Sequence, residues 1–237
     1  MIRPFLAALL ALAACSEDRR APHAQTYVLV DLSATWHSPA QDARNLQLLG
    51  EVGQAIALAS GEIEGPQAIE YRSFGEASLA RPPVCDVIFA STVAPIRARD
   101  EHVISKAREL ASFLGSDCPR RILASPPEQL TEVSAAVTTV AGHPAAGASR
   151  RTILILSDFL EETRQPMPLQ TRLDGFRILL IYRPVTADYA NPEALRTRMQ
   201  GWEQTFRDRG AIVTSMPDDG LHRTAVADFL TTTGPAR

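Results

Sequence analysis

"TYVLVDLSATWHS", residues 26 to 38, runs from a β-rich segment straight into polar groups. Val28 to Val30 is apolar enough for a buried strand, yet Asp31, Ser33 and Thr35 follow at alternate positions, each with a side-chain oxygen. Along a continuing strand, alternate residues share one face. Just past a strand end, the same spacing can wrap three oxygens around a common point. Hard divalent cations take such ligands: Mg²⁺ prefers an octahedron of oxygens at ~2.1 Å and usually keeps several waters. Carboxylates supply charge, while neutral hydroxyls coordinate without cancelling the field of the ion.

A second stretch ends in the same way. In "RRTILILSDFLEE", residues 150 to 162, Ile153 to Leu156 form a continuous apolar run of strand length, as in a parallel strand covered on both faces. Ser157 and Asp158 close it. Between the two landmarks, Leu46, Leu49, Val52, Gly53, Ile56 and Ala57 recur at helical spacing within 40–59. "PQAIEYRSF" and "VCDVIFAS" read as strands that pair as a hairpin. A helix is expected over 101–114, and another from Pro126 and Pro127 through "EQLTEVSAAVTTVA". Beyond Asp158 come a buried strand in "FRILLIYRPV", a long helix from Asn191 stopped by Gly210, a strand in "AIVTSM" and a helix in "HRTAVADFL". Strands alternating with helices predict a doubly wound α/β sheet with one antiparallel edge. Ligands of such sheets bind beyond the carboxyl ends of the strands, where Asp31 and Asp158 would lie.

From about Thr26 to Leu230 the chain resembles the von Willebrand factor A family. The family's metal-ion-dependent adhesion site begins with D-x-S-x-S, matched here by Asp31-Leu32-Ser33-Ala34-Thr35, and its later Asp in a setting like "LLSDG" falls on Asp158 in "ILSDF". The resemblance implies a Rossmann-like three-layer sandwich over 26–233, with a mostly parallel sheet, one antiparallel edge strand and helices on both faces. It also implies Mg²⁺, or Mn²⁺ in its place, held by Asp31, Ser33, Thr35 and Asp158 and engaging an acidic residue of a protein partner. Three departures stand out: Thr35 replaces a Ser, Phe159 stands where Gly commonly follows the later Asp, and no Gly-Gly-Thr-like loop occurs. Ser125 in "LASPPEQL" is the approximate counterpart of that loop's Thr, with Thr131 set aside as part of the predicted helix.

Other readings use the same residues. Asp31, Ser33 and Asp158 could cap the turns that follow them, leaving a metal-free scaffold. Trp36, beside the site, is either a core residue or an exposed aromatic anchor for a partner. "EETRQPMPLQTR" (161–172) and "RPVTADYANP" (183–192) are candidate contact loops. "DLSAT" also misses the D-x-D-x-T opening of haloacid-dehalogenase-like phosphatases by one residue, but Ser33 has no useful pKa for proton transfer, and "PDDG" (217–220) reads as a turn. The reading is therefore of a binding protein, not an enzyme.

The amino terminus bears on location. Residues 1–14 have the basic, apolar and small-residue parts of an export signal, and the apolar run from Phe5 to Ala14 falls short of the roughly 20 residues that span a bilayer. Leu12-Ala13-Ala14-Cys15 resembles the lipobox of bacterial lipoproteins, which implies a diacylglycerol on Cys15, usually a further acyl chain, and membrane anchoring. Residues 15–25 read as the lipidated Cys and a tether, 234–237 as a disordered tail. Ser16 after the Cys points to the outer membrane of a Gram-negative cell. The net charge of −3, with both signs mixed, offers no stripe for nucleic acid. Cys85 and Cys118 form an even pair in an oxidising compartment, and a disulfide between them would stabilise the fold by ~3 kcal/mol.

Overall fold

The computed structural model describes residues 21–75, 82–89, 101–144, 147–161 and 169–232. The expected signal peptide, Cys15, the first part of the tether, the 234–237 tail and most of the 161–172 loop lie outside these residues. None of the described helices is long and apolar enough to cross a membrane.

Six strands form one sheet in the order β3-β2-β1-β4-β5-β6. β1 (Ala24–Asp31), β2 (Gln67–Phe74), β4 (Arg150–Ser157), β5 (Phe176–Tyr182) and β6 (Ile212–Pro217) run parallel, while β3 (Cys85–Phe89) is antiparallel to β2. Alternation decides the two cores. Val28 and Val30 of β1 and Leu154 and Leu156 of β4 face α1 (Asp42–Ser60), α2 (Glu101–Ser112), α3 (Cys118–Leu123) and α7 (Arg223–Thr231). Tyr27, Leu29, Ile153 and Ile155 face α4 (Val133–Gly142) and α6 (Pro192–Asp208), with the short α5 (Thr186–Ala190) between β5 and α6. This is the three-layer, von Willebrand factor A-like architecture expected from the sequence.

Two local departures have clear causes. The helix expected from Pro126 begins only at Val133. Ser125 and Pro126 each precede a proline and are biased toward extended backbone, and Glu128 pairs laterally with the loop after β1 instead of starting a helix. The helix expected to end at 114 continues through a π turn, Phe113–Asp117, into α3. Pro119 has no N–H and its ring would press on the carbonyl four residues back in a regular helix. The wider turn relieves this, with the Cys118 N–H reaching the Phe113 carbonyl. Elsewhere α6 ends as expected at Gly210, whose φ of 99° suits glycine.

Cys85 on β3 and Cys118 at the start of α3 form the expected disulfide, with Cα atoms 5.8 Å apart. It bolts the short edge strand to the helical layer across a sequence separation of 33. Replacing both cysteines with alanine is expected to lower unfolding free energy by about 3 kcal/mol, read as an earlier urea midpoint at unchanged slope.

Candidate metal site

β1 and β4 lie side by side at the centre of the sheet, with Val30 paired to Leu156, so Asp31 and Ser157 sit at the carboxyl ends of neighbouring strands. Asp31 is fully buried. Its Oδ1 accepts the Ser33 N–H at 2.7 Å and its Oδ2 accepts the Ser157 hydroxyl at 2.6 Å. Ser157 Oγ in turn accepts the Phe159 N–H at 2.8 Å, and Asp158 Oδ1 accepts the Leu160 N–H at 2.9 Å. The other oxygen of Asp158, Oδ2, is buried without a hydrogen-bond partner.

The β4 turn depends on Phe159, which adopts φ of 58°, the left-handed conformation that glycine enters most easily. That conformation costs a bulky residue roughly 1–2 kcal/mol. Burial of the ring, 1% exposed and 6.1 Å from the Trp202 ring, offsets the cost, and Trp202 Nε1 donates to the Phe159 carbonyl at 3.1 Å. The chain thus keeps a glycine-like turn without the glycine.

Ser33 and Thr35 share a hydroxyl–hydroxyl hydrogen bond of 3.1 Å. Ser33 is buried and Thr35 exposed, so the pair runs from the acidic centre to the surface. Burial pushes Asp31 up to about 7; the Ser157 and Ser33 hydrogen bonds oppose this, while the charge of Asp158 adds to it. Among the described residues no cationic side chain contributes to the Asp31 shift, and two buried carboxylates in a low-dielectric site repel each other strongly. Among the described residues no three His, Cys, Asp or Glu side chains cluster as a metal site. Asp31, Ser33 and Thr35 are instead joined by hydrogen bonds, and Asp158 lies near enough to Asp31 for its charge to be felt there; carboxylate and hydroxyl oxygens are the donor types that suit Mg²⁺ or Mn²⁺.

The remaining sequence candidates are placed differently. Ser125 sits at the end of α3, where its carbonyl meets His37 Nε2 at 3.0 Å. The segment after it crosses the site: the Glu128 N–H donates to the Leu32 carbonyl at 2.6 Å and the Glu128 carbonyl accepts from the Ala34 N–H at 2.9 Å. Farther on, Glu161 from the β4 loop takes the Ser134 N–H at 3.0 Å and its hydroxyl at 3.3 Å. Thr131 lies between these two attachments, buried and ahead of α4. It is therefore not helical. The two adjacent prolines were the signal for this, since they favour extended backbone where helical spacing of apolar residues suggested a helix.

Trp36, at 1% exposure, is a core residue and presents no surface to a partner. The Arg183 guanidinium lies 5.1 Å from its ring centroid. Arg183 Nε donates to Asp218 Oδ2 at 2.6 Å and Nη1 to Asn45 Oδ1 at 2.7 Å, and Arg44 donates to the other Asp218 oxygen at 2.7 Å. "PDDG" is thus a single 3₁₀ turn whose first acid is consumed by two arginines. Of the candidate contact loops, 183–192 is described: α5 is pinned by Asp188, which takes the Val185 N–H at 2.8 Å and Arg198 Nη2 at 2.6 Å, and it leaves Tyr189 72% exposed.

No family model and no curated protein matches this chain. Solved structures similar in fold include a von Willebrand factor type A protein from Catenulispora acidiphila, at 12% identity and a TM-score of 0.45, covering 88% of this chain and 41% of that one. An aerotolerance-related membrane protein from Bacteroides fragilis is similar at 12% identity and a TM-score of 0.40, over 87% of this chain and 98% of that one. Manganese-loaded TRAP protein from Plasmodium vivax is similar at 11% identity and a TM-score of 0.39, over 91% of this chain and 65% of that one. The chain thus spans less than half of the first of these and about two thirds of the last.

Proposed function

We propose that this chain is a lipid-anchored, non-enzymatic binding protein that holds Mg²⁺ or Mn²⁺ beyond the carboxyl ends of β1 and β4 and engages an acidic residue of a protein partner there. The observation that carries this reading is Asp158 Oδ2, buried without a partner beside the buried Asp31. A lone carboxylate oxygen in that setting is costly unless a proton or a cation meets it. Asp31, Ser33, Thr35 and Asp158 would hold the ion. The ion would supply an electrophile for a partner's carboxylate. The chain's residues keep the two acids dry and fixed: the Ser157 hydroxyl orients Asp31, and the left-handed Phe159 turn aims Asp158.

Calorimetric titration of the full chain in detergent with Mn²⁺ tests the reading. Saturable heat is expected for wild type and none for Asp158→Ala, with a melting temperature that rises on adding metal only in wild type. No heat for wild type would overturn the metal and favour the metal-free scaffold. That second reading has its own support, because both Asp31 oxygens already accept hydrogen bonds from Ser33 and Ser157.

A further inference from the structure

We infer that Arg183 is a positioning residue for the proposed cation site, acting through Asn45 and Trp36 on the loop that carries Ser33 and Thr35. The cation-affinity part of this inference rests on the proposed function. The loop is a tight turn in which the Trp36 and His37 N–H groups both donate to the Ser33 carbonyl, at 3.0 and 2.7 Å. From outside the turn, Asn45 Nδ2 donates to the Trp36 carbonyl at 2.9 Å, in a fully buried contact. Asn45 could satisfy that carbonyl in more than one orientation; its Oδ1 is fixed by the 2.7 Å bond from Arg183 Nη1. The same guanidinium lies over the Trp36 ring, so the backbone and the side chain of one residue are both held from Arg183.

Arg183 also reaches the second half of the site. Its backbone N–H donates to the Ser157 carbonyl at 3.2 Å, tying it to the strand end that carries Ser157 and Asp158. One residue therefore spans both strand ends that supply the carboxylates. The arrangement is also balanced in charge. Asp218, at 2.6 Å and with its side chain 2% exposed, neutralises the buried guanidinium. Arg44, half exposed, holds the other Asp218 oxygen from the surface. An ion pair serving only the core would not need Asn45 and Trp36 in series with the proposed ligands.

Groups behind metal ligands typically alter affinity about 10- to 100-fold when removed. For the full chain in detergent, Arg183→Gln and Asn45→Ala are each expected to weaken Mn²⁺ binding by about tenfold or more. The double variant is expected to be no weaker than the worse single one, since both cut the same series of contacts. In the metal-free protein, exchange of the Trp36 and His37 amides is expected to accelerate in both variants while β2 and β3 amides hold. Unchanged Mn²⁺ affinity alongside a lower melting temperature would reduce Arg183 to a core ion pair. If Arg183→Gln does not fold, the uncharged Asn45→Ala decides by the same readouts. If wild type binds no Mn²⁺, the proposed function falls, and amide exchange alone decides: unaltered Trp36 and His37 rates overturn the positioning role.

Discussion

Gly53→Ala is expected to destabilise the fold by about 3 kcal/mol or more, whereas Gly50→Ala, one turn away on the same helix, is expected to be close to neutral. A Cβ at position 53 would stand 2.0 Å from the Leu114 carbonyl oxygen, 2.4 Å from its carbon and 2.7 Å from the Gly115 nitrogen. These are backbone atoms of the π turn and cannot rotate aside. Carbon needs roughly 3.4 Å from an oxygen, so α1 would have to move off the turn and take Leu49, Val52 and Ile56 away from the sheet. Alanine gains about 1 kcal/mol of helix propensity over glycine, too little to recover the loss. At position 50 the nearest atom, the Gly115 carbonyl oxygen, is 3.1 Å away, and a shift of a few tenths of an ångström suffices. Thermal melts should separate the pair by roughly 6 °C or more. Equal melting temperatures would mean that α1 and the π turn are not in contact as described.

The close approach at Gly53 was only half legible in the sequence. Spacing placed Gly53 on the buried face of its helix correctly, but Leu46, from the same apolar stripe, is 38% exposed. Nothing local says that the partner surface is bare backbone, because the π turn that presents it results from Pro119, about one turn farther along a different helix. Strands were read more securely. Buried parallel strands are continuous apolar runs, and the hairpin of β2 and β3 shows its alternation openly, so a mostly parallel sheet with one antiparallel edge follows from pattern and connection rules.

The candidate site divides along the same line. Asp31, Ser33, Thr35 and Asp158 were visible because they interrupt apolar runs at the strand ends. The extended segment from Pro126 to Glu132 is harder to read, because its prolines suit either a helix start or extended backbone and the apolar spacing beyond them favours a helix. Arg183, Asn45 and Asp218 were hidden because each looks like an ordinary surface residue at a strand end or on a helix. Only the fold shows that they meet, with Asn45 and Arg183 separated by 138 positions in sequence and Arg183 and Asp218 by 35. Sequence leaves Trp36 open between core residue and surface anchor for the same reason: its cover, the Arg183 guanidinium, arrives from the residue after β5.

With chelator present, stability is expected to fall as pH rises from about 5 to about 8, and Mn²⁺ is expected to restore it at pH 8 but not at pH 5. The direction follows from Asp31, which burial pushes up to about 7 in the folded protein, helped by the charge of Asp158, from an ordinary value of 3.8. Below pH 4 the carboxyl is protonated in both folded and unfolded chains and contributes no pH dependence. Between about 4 and 7 the unfolded chain releases the proton while the folded chain keeps it, so folding loses about 1.4 kcal/mol per pH unit. Above 7 both states are ionised and the deficit levels off, on the order of a few kcal/mol. A cation held by the proposed site would relieve the repulsion that a proton relieves at low pH, and at 100 times its dissociation constant would add about 2.7 kcal/mol. Asp31→Asn isolates the effect from every other titrating group. The amide has no proton to lose, so the metal-free variant should exceed wild type at pH 8 by roughly 5 to 10 °C in melting temperature and gain nothing from Mn²⁺. Parallel profiles for wild type and Asp31→Asn across this range would mean that Asp31 is ionised in the metal-free fold at no cost, and the drive to take up a cation would be gone.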